Sequence, residues 1–209
     1  MKVGLNIGAG TGETNHLFSD FDTVYCFEPN IYSFDLLKKS APDNLKLYNY
    51  GISDIEGDKT FNNYDHFLYS SLLDFDEDGE FYKLLSKIDS GFDDCTWKTK
   101  IKLKRLDSFI TENNLKHINF IKIDTQGHDL NVVKSLGVYI AIVNTITLEC
   151  QTQNLYKNSP TKKDIISYMD NNHFTLINTD VFKKNGESFE ENLTFKNKYG
   201  TILGEKGIT

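Results

Sequence analysis

The sequence predicts one α/β domain, a mostly parallel sheet with helices on both faces. Short apolar, β-branched runs alternate with amphipathic stretches through the first half of the chain. A glycine-rich turn follows the first of those runs directly. No repeat, Pro-rich linker or low-complexity tract divides the 209 residues, a length that a single core can serve.

Taken in order, Lys2–Ile7 reads as a buried strand, followed by the glycine turn and a helix near Glu13–Phe18. Thr23–Phe27 is a second strand, Ile31–Ser40 a helix and Leu45–Tyr50 a third strand. Ile118–Asp124 and Ile142–Cys150 are further apolar strands, with a helical segment, Asp129–Leu136, between them. Thr161–Asn171 reads as a helix, and Phe174–Asn178 and Leu193–Leu203 as late, antiparallel strands. Tyr64–Lys98 is aromatic-rich, acidic and weakly periodic, and it reads as an irregular insertion or lid within the 1–209 domain.

Composition narrows the class. Hydrophobic residues make up 39% of the chain, enough to build a core, yet no apolar run approaches the roughly 20 residues that span a bilayer. The opening MKVGLNIGAG lacks the apolar core of a signal peptide. Cys26, Cys95 and Cys150 are odd in number and lack metal-ligand spacing, so a reduced, cytoplasmic setting is expected. Net charge is −7 and Arg105 is the only arginine, which argues against nucleic acid or another polyanion as partner.

Asn6-Ile-Gly-Ala-Gly-Thr-Gly12 stands between a strand and a predicted helix, where glycines let the backbone turn tightly and approach a ligand. About 20 residues on, Glu28 ends the second strand, where an acidic side chain accepts hydrogen bonds from both ribose hydroxyls. This pair predicts a nucleoside cofactor. A lone Glu disfavours a 2′-phosphate, which leaves NAD and S-adenosylmethionine, and spacing alone does not choose between them.

Several blocks in order are similar to the FkbM family of S-adenosylmethionine-dependent methyltransferases. Asn6–Gly12 resembles its first motif, and Phe27-Glu-Pro-Asn30 its Phe-Glu-Pro-Asn block. LYNYGISDIEG, residues 47–57, is similar to its third-strand block, and Ser70-Ser-Leu72 to a short motif that follows. Leu106-Asp-Ser-Phe109, Ile121-Lys-Ile-Asp-Thr-Gln-Gly-His-Asp129 and Leu148-Glu-Cys150 resemble later blocks. The chain departs from the family pattern at Asn6, where Asp is usual, and at Gly10, where Asn is usual. It reads Gln126-Gly-His-Asp129 where Glu-Gly-His-Glu is usual.

The resemblance implies a Rossmann-like class I methyltransferase, seven-stranded with its last strand antiparallel, with the cofactor across the carboxyl ends of the strands. It implies that Asn6, Gly8 and Gly10 hold the methionine end, Glu28 the ribose, and Gly51, Ile52 and Ser53 the adenine. Asp124 would lie near the methyl group. The reaction it implies is O-methyl transfer to a saccharide or glycan hydroxyl, a poor nucleophile that a general base would help. Asp124 and His128 are the candidate bases. Ser71 is a candidate for the acceptor pocket, and Tyr69, Trp97 and Tyr156 for stacking on a sugar ring. Asp124, Asp129 and Glu149 could together offer oxygens to Mg²⁺, but cap and surface roles explain them as well, so no metal ligand is assigned. The other readings are an NAD-dependent oxidoreductase and a cofactor-binding module that the substitutions have left inactive.

Overall fold

A computed structural model of the chain describes residues 1–64, 67–88, 97–153, 155–184 and 187–200. The expected insertion is thereby described only in part, and His66, Cys95 and residues 201–203 of the last predicted strand lie outside the described residues.

Seven strands form the main sheet. They are β1 (Val3–Ile7), β2 (Thr23–Phe27), β3 (Leu45–Tyr48), β7 (Ile118–Ile123), β8 (Val143–Gln151), β9 (Phe174–Lys184) and β10 (Glu187–Asn197). Their spatial order is β3-β2-β1-β7-β8-β10-β9. Neighbours from β3 through β8 pair in parallel, and β10 runs antiparallel to both β8 and β9. The chain therefore winds outward from β1 in one direction and resumes at β7 in the other. This reversal opens a crevice at the carboxyl ends of β1 and β7.

Burial on both faces explains why β1 and β2 read as near-continuous apolar runs. Within β2, Val24 and Cys26 pack on one face with Phe18, Phe21 and Leu37, the last from α1 (Ile31–Ser40). Tyr25 and Phe27 pack on the opposite face with Leu106, Phe109 and Ile110 of α3 (Leu106–Glu112) and with Leu130, Val132 and Val133 of α4 (Asp129–Lys134). Asn30 caps α1 by accepting from the Tyr32 and Ser33 backbone N–H groups. Thr161 and Asp164 form a capping box on α5 (Lys162–Asn171).

The structure corrects the sequence reading in three places. The helix expected near Glu13–Phe18 is a single 3₁₀ turn, Asn15–Phe18. Glu13 turns its carboxylate back onto the Thr11 and Gly12 backbone N–H groups at 3.0 and 3.1 Å, holding the loop open ahead of that turn. The stretch 64–98 is not wholly irregular: α2 (Glu80–Ile88) occupies part of it. Phe81, Leu84 and Leu85 recur at helical spacing and pack with Tyr64, Phe75, Leu155 and Tyr156 in a separate apolar cluster. A small second sheet was also not foreseen, formed by β4 (Gly51–Ile52), β5 (Gly57–Asn63) and β6 (Trp97–Lys104) in the order β4-β6-β5. In β6 the buried Ile101 and Leu103 alternate with Lys100 and Lys102, the period-two signature of a half-buried strand.

Candidate active site

A cleft of about 320 Å³ lies at the crevice between the carboxyl ends of β1 and β7. Its floor is the glycine loop. Gly8 and Ala9 donate their backbone N–H groups to Phe27 O at 2.9 and 3.0 Å, which folds the loop across the end of β2. Gly8 has φ +74°, and a Cβ added there would fall 1.8 Å from the Asp124 carbonyl oxygen. Only glycine allows so close an approach between the loop and the end of β7. Asn6 is wholly buried and lies beneath the loop, outside the cleft lining. Its amide exchanges hydrogen bonds with Thr14 Oγ1, and Thr14 in turn reaches the lining.

Glu28 lines the cleft and is held rigidly: Oε2 accepts from Gly10 N at 2.9 Å and Oε1 from Asn30 N at 2.8 Å. Burial pushes its carboxyl up to about 7; the two backbone N–H groups pull the other way, while Glu13 and Asp124 add to the rise. Beside it, Phe27, Pro29, Ile52, Phe61, Leu72 and Ile101 make an apolar slot, with Gly51 at its edge. Ser53 is buried and does not line the slot.

The opposite end of the cleft is acidic. Asp124, Gln126, Glu149 and Glu190 converge there from the ends of β7, β8 and β10. The buried Lys122 ammonium lies behind them, 3.4 Å from Asp124 Oδ2, and also donates to Ile123 O and to Asn192 Oδ1. Burial alone would raise the Asp124 carboxyl, but Lys122 and hydrogen bonds from Glu149 and Gln126 hold it below the usual carboxylate range. Its neighbours shift the other way. Burial and then the Asp124 charge push Asp129 and Glu190 up to about 7, and Glu149 well above its ordinary value.

The remaining expected residues are dispersed around this cleft. His128 lines it, with Nε2 2.9 Å from the buried Ser53 Oγ. Burial, partly countered by Asp54, lowers its pKa, so the imidazole is neutral at neutral pH. Tyr69 lines the cleft. Ser71 lies behind it, donating to Gln126 O at 2.7 Å. Tyr156 is fully buried and cannot stack on a ligand. Trp97 stands outside the cleft, 38% exposed and edge-on to Tyr32. Asp129 is buried and accepts from Thr125 N at 3.3 Å. Among the described residues no group of three or more His, Cys, Asp or Glu side chains is arranged to hold a metal ion.

Sequence reasoning passed over Glu13, Thr14, Phe61, Ile101 and Glu190 as lining residues. Ile101 belongs to the alternating pattern of β6, which was there to be read. Glu190 carried no local signal, because the pairing of β10 with β8 is what places it.

A seven-stranded sheet with one reversed strand, crossed at its switch point by a glycine loop with an acidic residue at the end of β2, is the architecture of class I S-adenosylmethionine-dependent methyltransferases. The Methyltransferase FkbM domain model matches residues 4–176, and the chain belongs to that family. This decides between the two cofactors that the glycine loop and Glu28 had left open. Among solved structures, magnesium protoporphyrin IX methyltransferase from Synechocystis PCC 6803, with bound S-adenosylmethionine, is similar with a TM-score of 0.52 and 9% identity. The match covers 93% of this chain and 69% of that one. TrmK from M. capricolum, in complex with S-adenosylhomocysteine, is similar with a TM-score of 0.50 and 6% identity over 94% of this chain and 62% of that one. Identities this low speak to the fold alone. No match is found among curated proteins. No helix among the described residues is long and apolar enough to cross a membrane.

The lining fits S-adenosylmethionine. Glu28 keeps lone pairs for a ribose, the apolar slot suits an adenine, and the acidic end suits a sulfonium and an ammonium.

Proposed function

We propose that this chain methylates a hydroxyl of a saccharide or glycan. The observation that carries this reading is the composition of the acidic end. Asp124, Glu149 and Glu190 present carboxyl oxygens there, and no Lys or Arg is found among the described residues that line the cleft. Such a surface suits a neutral, polyhydroxylated acceptor and repels a phosphate-rich one. S-adenosylmethionine, when bound, supplies a methyl group already activated by its sulfonium. The chain's part is to align the incoming oxygen, exclude water and take its proton.

Asp124 is the better placed of the two candidate bases. Its side chain is 31% exposed toward the cleft, whereas the His128 Nε2 is engaged by Ser53. His128 serves to pin the turn after β4 to the start of α4. His128→Ala is therefore expected to cost about 1–2 kcal/mol of stability and less than about tenfold in rate. A folded variant slowed about 10²-fold or more, with its melting temperature unchanged, would return the base role to His128.

Screening a panel of neutral, acidic and phosphorylated glycans with labelled cofactor tests the acceptor class directly. Turnover is expected on neutral sugars. Methylation of RNA or of phosphorylated acceptors alone would overturn the reading. If S-adenosylhomocysteine binds but no acceptor in the panel or beyond it turns over, an inactive module is the better account.

A further inference from the structure

Gln126 follows β7 with φ +53°, in the left-handed region that non-glycine residues enter only under constraint. The constraints are visible. Ser71 Oγ donates to Gln126 O at 2.7 Å. The Tyr156 hydroxyl, which also donates to Tyr69 O at 2.7 Å, lies 3.2 Å from Gln126 Oε1. Those contacts point the amide nitrogen toward the acidic end, where Nε2 donates to Asp124 Oδ1 at 3.0 Å and to Glu149 Oε1 at 3.3 Å. One side-chain amide thus spans two carboxyl groups that are also hydrogen-bonded to each other.

We infer that Gln126 is a positioning residue: its uncharged amide clamps Asp124 and Glu149 side by side, leaving Asp124 turned to the acceptor hydroxyl. A carboxylate at this position would add a third acid to a pair backed by the single Lys122 ammonium, and it could donate to neither neighbour while ionised. A shorter or apolar side chain would release both groups. Besides Lys122, the titratable groups that act on the pair are Glu28, Asp129, Glu190 and the Tyr156 hydroxyl, and none of these is hydrogen-bonded to both of its members. The strained backbone at Gln126 is then part of the site's construction, since it aims the amide between the ends of β7 and β8.

This inference rests on the proposed role of Asp124, so its test is kept independent of the acceptor. Carbon-13 NMR of protein labelled at Asp and Glu carboxyls would follow Asp124 and Glu149 through a pH titration in three forms. These are the wild type, Gln126→Asn and Gln126→Glu. Asn tolerates the left-handed backbone but is too short to reach both carboxyls. The Asp124 midpoint is expected to rise by about one unit or more in Gln126→Glu, and by a smaller amount in Gln126→Asn. Thermal melts establish that both variants are folded, and the midpoints are compared without ligand, since Gln126 itself lines the cleft. Unchanged Asp124 and Glu149 midpoints in a folded Gln126→Asn variant would overturn the clamp. Should Gln126→Glu fail to fold, the Asn variant decides alone. Failure of the Asp124 reading would look different: normal methyl transfer by Asp124→Asn, whatever the midpoints.

Discussion

Asp124→Asn is expected to slow methyl transfer about 10²–10⁴-fold while S-adenosylhomocysteine affinity changes only a few fold. Asn keeps the shape of the side chain but cannot take a proton from the acceptor hydroxyl. The substitution also removes the negative charge beside the buried Lys122, whose other two partners, Ile123 O and Asn192 Oδ1, are neutral. Some loss of stability should therefore accompany the loss of rate, and a thermal melt must confirm that the variant is folded. The pH profile separates the two candidate bases. Since Lys122 and the hydrogen bonds from Glu149 and Gln126 hold Asp124 in its ionised form against the burial that opposes it, the acid limb should lie below the ordinary carboxylate range. With S-adenosylmethionine saturating, so that Glu28 ionisation does not enter, an acid limb just below the ordinary imidazole value that disappears in His128→Ala would identify His128, whose pKa burial lowers. Near-normal turnover by a folded Asp124→Asn enzyme would remove Asp124 from proton transfer altogether.

Glu28→Ala should weaken cofactor binding by about 1.5–3 kcal/mol through loss of charged hydrogen bonds to the ribose. The cost has a second source. Glu28 accepts from Gly10 N and Asn30 N, so its removal also loosens the loop that shapes the floor. The same carboxyl makes binding depend on pH. In the free protein burial pushes its pKa up to about 7, and the ribose hydroxyls, as donors, favour its ionised form. Binding therefore lowers the pKa and releases a proton, so affinity should rise with pH up to about 7 and level off above it. Calorimetry with S-adenosylhomocysteine at about pH 5.5 and about pH 8 checks the sign, and Glu28→Ala should flatten the difference. Wild-type affinity in the variant would mean that the ribose is held elsewhere.

The sequence by itself determined the fold class and singled out the glycine loop and Glu28, which line the cleft, because those signals are local. Backbone that enters left-handed φ favours glycine, so Gly8 and Gly10 announce the loop. Strands buried on both faces favour apolar, β-branched residues, so β1, β2, β7 and β8 could be read almost residue by residue. Part of what the reading missed was also local: the spacing of Phe81, Leu84 and Leu85 in α2, and the alternation of lysines with apolar residues in β6. The place of Glu190 in the acidic end was decided by tertiary structure alone. Glu190 reaches Asp124 and Glu149 only because β10 inserts antiparallel between β8 and β9, a register that no local pattern specifies. Likewise, Ser53 meets His128, and Gln126 meets Glu149, through segments distant in sequence brought to one end of the sheet. Residue type announces what a side chain can do, but its partners are set by non-local packing, and those partners decide which carboxyl is ionised and which residue faces the ligand.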